Sequence, residues 1–110
     1  MPERDFLSQI DLFASGEEGY HTYRIPALAT TAKGTVLAFC EGRKHSRSDA
    51  GKIDLLLRRS ADGGHSWGPA QVVVTDSDMP CGNPCPWVAT SGGEEIICLP
   101  FCKNLGDGPE

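Results

Sequence analysis

Residues 60–67 read Ser60-Ala61-Asp62-Gly63-Gly64-His65-Ser66-Trp67, and the reading of this stretch decides the fold. Asp62-Gly63-Gly64 is a tight-turn signal, because an Asp carboxylate bonds neighbouring backbone amides and Gly64 accepts a positive φ. Ser66 can cap further backbone groups, and Trp67 supplies an aromatic plug beneath the hairpin. His65 occupies a variable position and is expected to be exposed. Immediately upstream, Ile53 to Ser60 alternates, with Ile53, Leu55 and Leu57 on one face, as a strand does. Immediately downstream, Gln71 to Thr75 is a β-branched strand. Two more extended runs precede these, residues 22–29 and Thr35 to Glu41, and Ala32-Lys33-Gly34 reads as the hairpin turn between them.

Four strands from about residue 22 to 75 make one antiparallel meander of roughly 50 residues, the size of one blade of a β-propeller. Asp76 to Pro86 is rich in turn formers. The 86–101 segment then begins a second unit. Within it Glu95 to Phe101 is nearly continuously apolar, as expected of a strand buried on both faces. Residues 10–14 are expected to be a stray strand, and residues 106–110 another loop. Thirteen Gly and eight Pro among 110 residues agree with short strands joined by turns. No run approaches the roughly 18 apolar residues of a membrane span, so no transmembrane segment is expected. Collagen-like and coiled-coil classes are excluded as well.

Fifteen acidic residues against ten basic ones leave a formal charge of −5, which argues against a nucleic-acid partner. The charge is graded along the chain. Glu3, Asp5, Asp11, Glu17 and Glu18 crowd the start, whereas Arg43, Lys44, Arg47, Lys52, Arg58 and Arg59 lie close together. A local anion site and a solvated basic loop both fit that cluster on charge alone. Met1-Pro2-Glu3-Arg4-Asp5 is not the start of a secretory leader, which favours the cytoplasm over secretion. Five cysteines cannot all pair within the chain. Cys81/Cys85 and Cys98/Cys102 mimic a zinc pattern, but two strand residues four apart are separated by about 13 Å. One zinc cannot bridge that gap with bonds of about 2.3 Å. Reduced, mostly buried cysteines are expected, and no metal or other cofactor.

Ser60, Asp62, Gly64, Ser66 and Trp67 fit the pattern Ser-x-Asp-x-Gly-x-(Ser/Thr)-Trp at every specified position. The stretch resembles the Asp box of sialidases and of other propellers, where it marks the fold rather than an activity. Tyr23-Arg24-Ile25-Pro26-Ala27-Leu28 is similar to the Arg-Ile-Pro element near the start of sialidases. Phe39-Cys40-Glu41-Gly42-Arg43, then Ser46-Arg47-Ser48-Asp49-Ala50-Gly51, resemble the next two site elements of that family. Cys81-Gly82-Asn83-Pro84-Cys85-Pro86 resembles its Asn-Pro loop. Four elements in family order are a far more specific signal than any one of them. The resemblance implies a six-bladed propeller, of which residues 1–110 are the N-terminal part.

It also implies an exo-α-sialidase that removes terminal sialic acid from glycans with retention. Arg24 and Arg43 would bind the substrate carboxylate, Asn83 would line the sugar pocket, and Asp49 would be the acid/base residue. Strand pairing around residues 32–34 is expected to set position 24 almost opposite position 43, joining two guanidiniums that only an anion would hold together. Asp54, inside a strand, is expected to be the structural partner of a basic side chain. Tyr23 is expected to be core or a site wall. The family's Tyr nucleophile and its Glu partner have no counterpart here, so these 110 residues alone should be inactive. The alternative is a non-catalytic Asp-box propeller that binds acidic or sialylated glycans.

Overall fold

A computed structural model describes residues 9–103. The acidic start at residues 1–5 and the loop expected at 106–110 lie outside the described residues. Strands β1 (Thr22–Thr30), β2 (Val36–Arg43), β3 (Ile53–Ser60) and β4 (Gln71–Val74) form one antiparallel sheet in chain order. That is the meander expected from the alternating runs, and the limits of β3 coincide with the predicted ones. The β1–β2 turn forms where Ala32-Lys33-Gly34 called for it. Gly34 has φ of 92°, and the Thr31 N–H donates to the Thr35 carbonyl at 2.9 Å. Among the described residues there is no helix, and none long and apolar enough to cross a membrane.

β2 and β3 are the buried centre of this sheet. Leu37, Phe39 and Leu57 form one core cluster, with Ala29 and Leu99 packed against it. Ile53, Leu55 and Leu56 are also buried. Each such side chain withdrawn from water contributes about 1.5–3 kcal/mol. Gly42 has a steric role in this core. A Cβ there would lie 2.5 Å from Leu56 Cδ1 and 2.7 Å from the Tyr20 ring, so only glycine lets Tyr20 close over β2.

The β1–β2 register corrects one expectation. Arg24 pairs with Glu41 and Thr22 pairs with Arg43, so positions 24 and 43 are diagonal rather than opposed. The cause is a bulge between Arg24 and Ala27. Ile25 takes φ of 57° there, and Pro26 has no N–H to give to the ladder. The extra residue shifts the pairing of everything before it.

Three other expectations change. Residues 10–14 form no strand. They run irregularly beside the sheet, where Arg58 Nη1 donates to the Leu12 carbonyl at 2.6 Å. The strand expected from Glu95 to Phe101 is neither continuous nor buried on both faces. β6 (Trp87–Ser91) and β7 (Glu94–Cys98) make a two-stranded hairpin about Gly92-Gly93. Ile96, Ile97 and Phe101 stay more than 40% exposed because no further sheet faces this hairpin among the described residues. β7 stops two residues before Pro100, which cannot donate to a ladder. Finally, the cysteines are all free, but only Cys40 and Cys81 are buried, whereas Cys85 and Cys102 are exposed. The two exposed ones sit beside a minimal pairing of β5 (Cys81–Gly82) with β8 (Cys102–Lys103), too short to cover them.

Candidate active site

The end of the sheet that carries Arg43 also carries Arg24, Asp49 and Asn83. β2 delivers Arg43 as its last residue, and the loop that follows brings Asp49 back over it. Ser48 Oγ accepts from the Ala50 amide and Ser46 Oγ from the Ser48 amide, tying the loop to itself around Asp49. Arg43 Nη1 donates to Asp49 Oδ1 at 2.7 Å and to the Arg47 carbonyl at 2.8 Å. Arg24 Nη1 lies 3.9 Å from the same Asp49 oxygen. The anion that joins the two guanidiniums is therefore the Asp49 carboxylate. Arg43 is 1% exposed, whereas Arg24 and Asp49 are about half exposed, so the pair opens to solvent on the Arg24 side.

The opposite edge of the Arg43 guanidinium is held by Glu41, two residues earlier on the same strand face. Nε and Nη2 both donate to Glu41 Oε1, at 3.0 and 2.8 Å. Burial works against the charge of Arg43, but the bonds to Glu41 and Asp49 outweigh it and raise its pKa. Glu41 Oε2 accepts the backbone N–H of Asn83 at 2.8 Å, which brings the Asn-Pro loop to the same end. Asn83 itself is exposed and has φ of 55°.

A second charged group lies beneath. Asp54 Oδ2 accepts from the Tyr20 hydroxyl at 2.6 Å. Lys52 Nζ stands 2.9 Å from Oδ1 and donates to Thr75 Oγ1 at 2.7 Å. Oδ1 has no well-angled hydrogen bond, so the Lys52 charge is what balances it. Burial raises the Asp54 pKa, yet contacts with Tyr20, Lys52 and Thr75 overcome that and hold it below the usual value. The expectation that Asp54 partners a basic side chain holds. Tyr23 is half-buried, its ring tilted by 39° against Phe13 with centroids 5.3 Å apart, and its hydroxyl donates to the Glu17 carbonyl at 2.8 Å.

The Asp box sits at the far end of β3. Ser60 pairs with Val36 while Ile53 pairs with Arg43, a separation of about 23 Å along the strand. Asp62 Oδ1 accepts from Ser60 Oγ at 2.8 Å and from the Ser66 amide at 2.9 Å, and Ser66 Oγ donates to Oδ2. Ser60 Oγ takes the Gly64 amide at 2.8 Å, and Trp67 Nε1 donates to the Gly64 carbonyl at 3.1 Å. Gly64 has φ of 95°, and His65 is exposed.

Sequence reasoning quoted Glu41 without giving it a part, and overlooked the Tyr20–Asp54 bond. The available signal for Glu41 was a lone carboxylate ending the apolar run Val36 to Cys40, two positions before an Arg. For Tyr20 there was none, since its partner is 34 residues away.

No family model matches the chain. Individual relatives do. An exo-alpha-sialidase of Aspergillus fumigatus is 42% identical over 76 residues, 64% of this chain and 19% of the relative. A sialidase of Micromonospora viridifaciens is 48% identical over 63 residues, 57% of this chain and 10% of the relative. Among solved structures, the Hadza microbial sialidase Hz136 superposes with a TM-score of 0.73 at 26% identity, over 86% of this chain and 20% of that one. The chain thus spans a fifth or less of the length of these proteins. Over that span the chain is similar to these sialidases in both sequence and backbone.

Proposed function

We propose that the chain is part of an exo-α-sialidase, a retaining glycoside hydrolase acting on terminal sialic acid of glycoproteins, glycolipids or oligosaccharides. In this reading residues 22–75 are one complete blade of a six-bladed propeller and residues 86–101 begin the next. The observation that carries it is a carboxylate held between two arginines at one mouth of the sheet, Arg43 at 2.7 Å and Arg24 at 3.9 Å. Arginine presents a planar fork suited to a ligand carboxylate, and sialic acid bears one on its anomeric carbon.

Asp49 is the acid/base residue of this proposal. While it is paired with Arg43, its carboxylate is occupied in accepting that hydrogen bond. A substrate carboxylate arriving on the exposed Arg24 side competes for the guanidiniums and releases it. Freed from the guanidiniums, Asp49 acts as the general acid and passes a proton to the leaving glycosidic oxygen. After departure of the aglycone, the same carboxylate activates water. Asn83 lines the sugar pocket. The Tyr nucleophile and Glu partner of such a mechanism belong to residues outside these 110.

The whole protein tests this with two sialosides, one with an activated aryl leaving group and one a native glycan. Asp49→Ala is expected to lower turnover of the native glycan by about 10²–10⁴-fold, the contribution of general acid catalysis, and of the aryl sialoside far less. Unchanged turnover of the glycan would remove Asp49 from this role. Binding of sialosides by the wild type with turnover of neither would favour the non-catalytic, glycan-binding propeller.

A further inference from the structure

We propose that Glu41 is the positioning residue that locks Arg43 and the Asn83 turn into one unit. The proposal rests on the sialidase reading only for its kinetic readout. Glu41 is fully buried, so its carboxylate is closed off from ligand and acts through other residues. One oxygen takes two N–H groups of Arg43 and the other takes the Asn83 amide, 42 residues away. The carboxylate therefore spans the strand that carries Arg43 and the loop that carries Asn83.

Geometry shows how closely the two are fitted. A Cβ on Gly82 would come 2.5 Å from Glu41 Oε2, so glycine is what lets the loop reach the carboxylate. Asn83 then turns away in the left-handed region, with φ of 55°. On the other side, the two bonds from Glu41 fix the plane of the guanidinium. That plane sets where Nη1 points, and Nη1 holds both Asp49 and the Arg47 carbonyl. Glu41 also supplies the buried counter-charge of Arg43, whose other carboxylate partner, Asp49, is half exposed. One buried carboxylate thus fixes the resting place of Asp49 and the position of the Asn83 loop.

Glu41→Gln keeps the size and removes the charge. In the whole protein, normalised to folded fraction, it is expected to raise KM for both sialosides, which share the carboxylate and sugar ring, and to lower kcat for the native glycan at least about tenfold. Loss of kcat on the aryl sialoside, which needs little acid assistance, is expected to stay within about threefold. A merely structural role would lower kcat on both substrates equally, and equal kcat losses or none would overturn the proposal. Gly82→Ala, which pushes on the same carboxylate, is expected to reproduce the split, and serves if Glu41→Gln does not fold. Glu41→Asp, which keeps the charge, is expected to recover part of the loss.

Hydrogen exchange at the Asn83 amide and at the Arg43 guanidinium Nε–H gives a readout independent of turnover. Both are expected to exchange at least about tenfold faster in Glu41→Gln, and unchanged protection would overturn the proposal. If the wild type cleaves neither sialoside, the sialidase reading fails, while the exchange result still decides the part played by Glu41.

Discussion

Cys40 lies on β2 next to Glu41 and shows how burial and a neighbouring charge set the chemistry of a side chain. Its thiol is buried, with Sγ donating to the Arg24 carbonyl at 3.2 Å. Burial, joined by the Glu41 charge, pushes its pKa up to about 12. A thiol is nucleophilic only as the thiolate. Cys85 and Cys102 are exposed. At pH 8 iodoacetamide is therefore expected to modify Cys85 and Cys102 first, with Cys40 at least about a hundredfold slower, as read by peptide mass spectrometry. Comparable rates would show that β2 opens to solvent on the timescale of labelling. A raised pKa stabilises the fold below the thiol's ordinary value. That contribution is lost as pH rises from about 9 toward 12, so labelling of Cys40 should accelerate in the same window.

The strands and turns were legible because their signals are local. Alternation over Ile53 to Ser60 and the turn at Asp62-Gly63-Gly64 need no knowledge of the rest of the chain. The Asp box is the clearest case, since Ser60, Asp62, Gly64 and Ser66 bond mainly to one another. The Asp62 carboxylate accepts hydrogen bonds from Ser66 and Ser60, which hold its pKa well below the ordinary carboxylate range. A lowered pKa means that the bonds stabilise the turn above the unfolded value and are lost as pH falls through the folded one. Asp62→Ala is accordingly expected to lower the melting temperature at pH 7. Its difference from wild type should shrink as pH drops well below 4. A difference that stayed constant across this range would mean that Asp62 contributes by turn propensity and not by charge. The site was less legible than the turn. The bulge at Ile25-Pro26 moves Arg24 off Arg43, and a one-residue insertion in a ladder leaves no periodic trace. Glu41 was hidden because a buried carboxylate is recognised by its donors, and Asn83 is brought to it only by the fold.

At the scale of the molecule, apolar surface that finds no partner is the dominant feature. Leu28 is 69% exposed, Val72 and Trp87 each 51%, and Ile96 and Ile97 over 40%. They come from the outer strand β1, the outer strand β4 and the hairpin β6–β7, so the described sheets are uncovered on several sides. The Cα radius of gyration is 15.5 Å, against about 13 Å for a compact domain of this length. Four strands bury β2 and β3 well, but the surrounding strands behave as surfaces meant to be covered. Exposed apolar surface on this scale drives association. The 110-residue polypeptide expressed by itself is therefore expected to bind a hydrophobic dye and to self-associate with rising concentration. Calorimetry should give a broad, weak transition, since a cooperative one needs a core that closes on itself. A sharp two-state transition in a monomer, with dye binding at background, would show that the sheets bury their faces against one another in solution. It would also favour a self-contained β module over a blade whose remaining neighbours lie elsewhere.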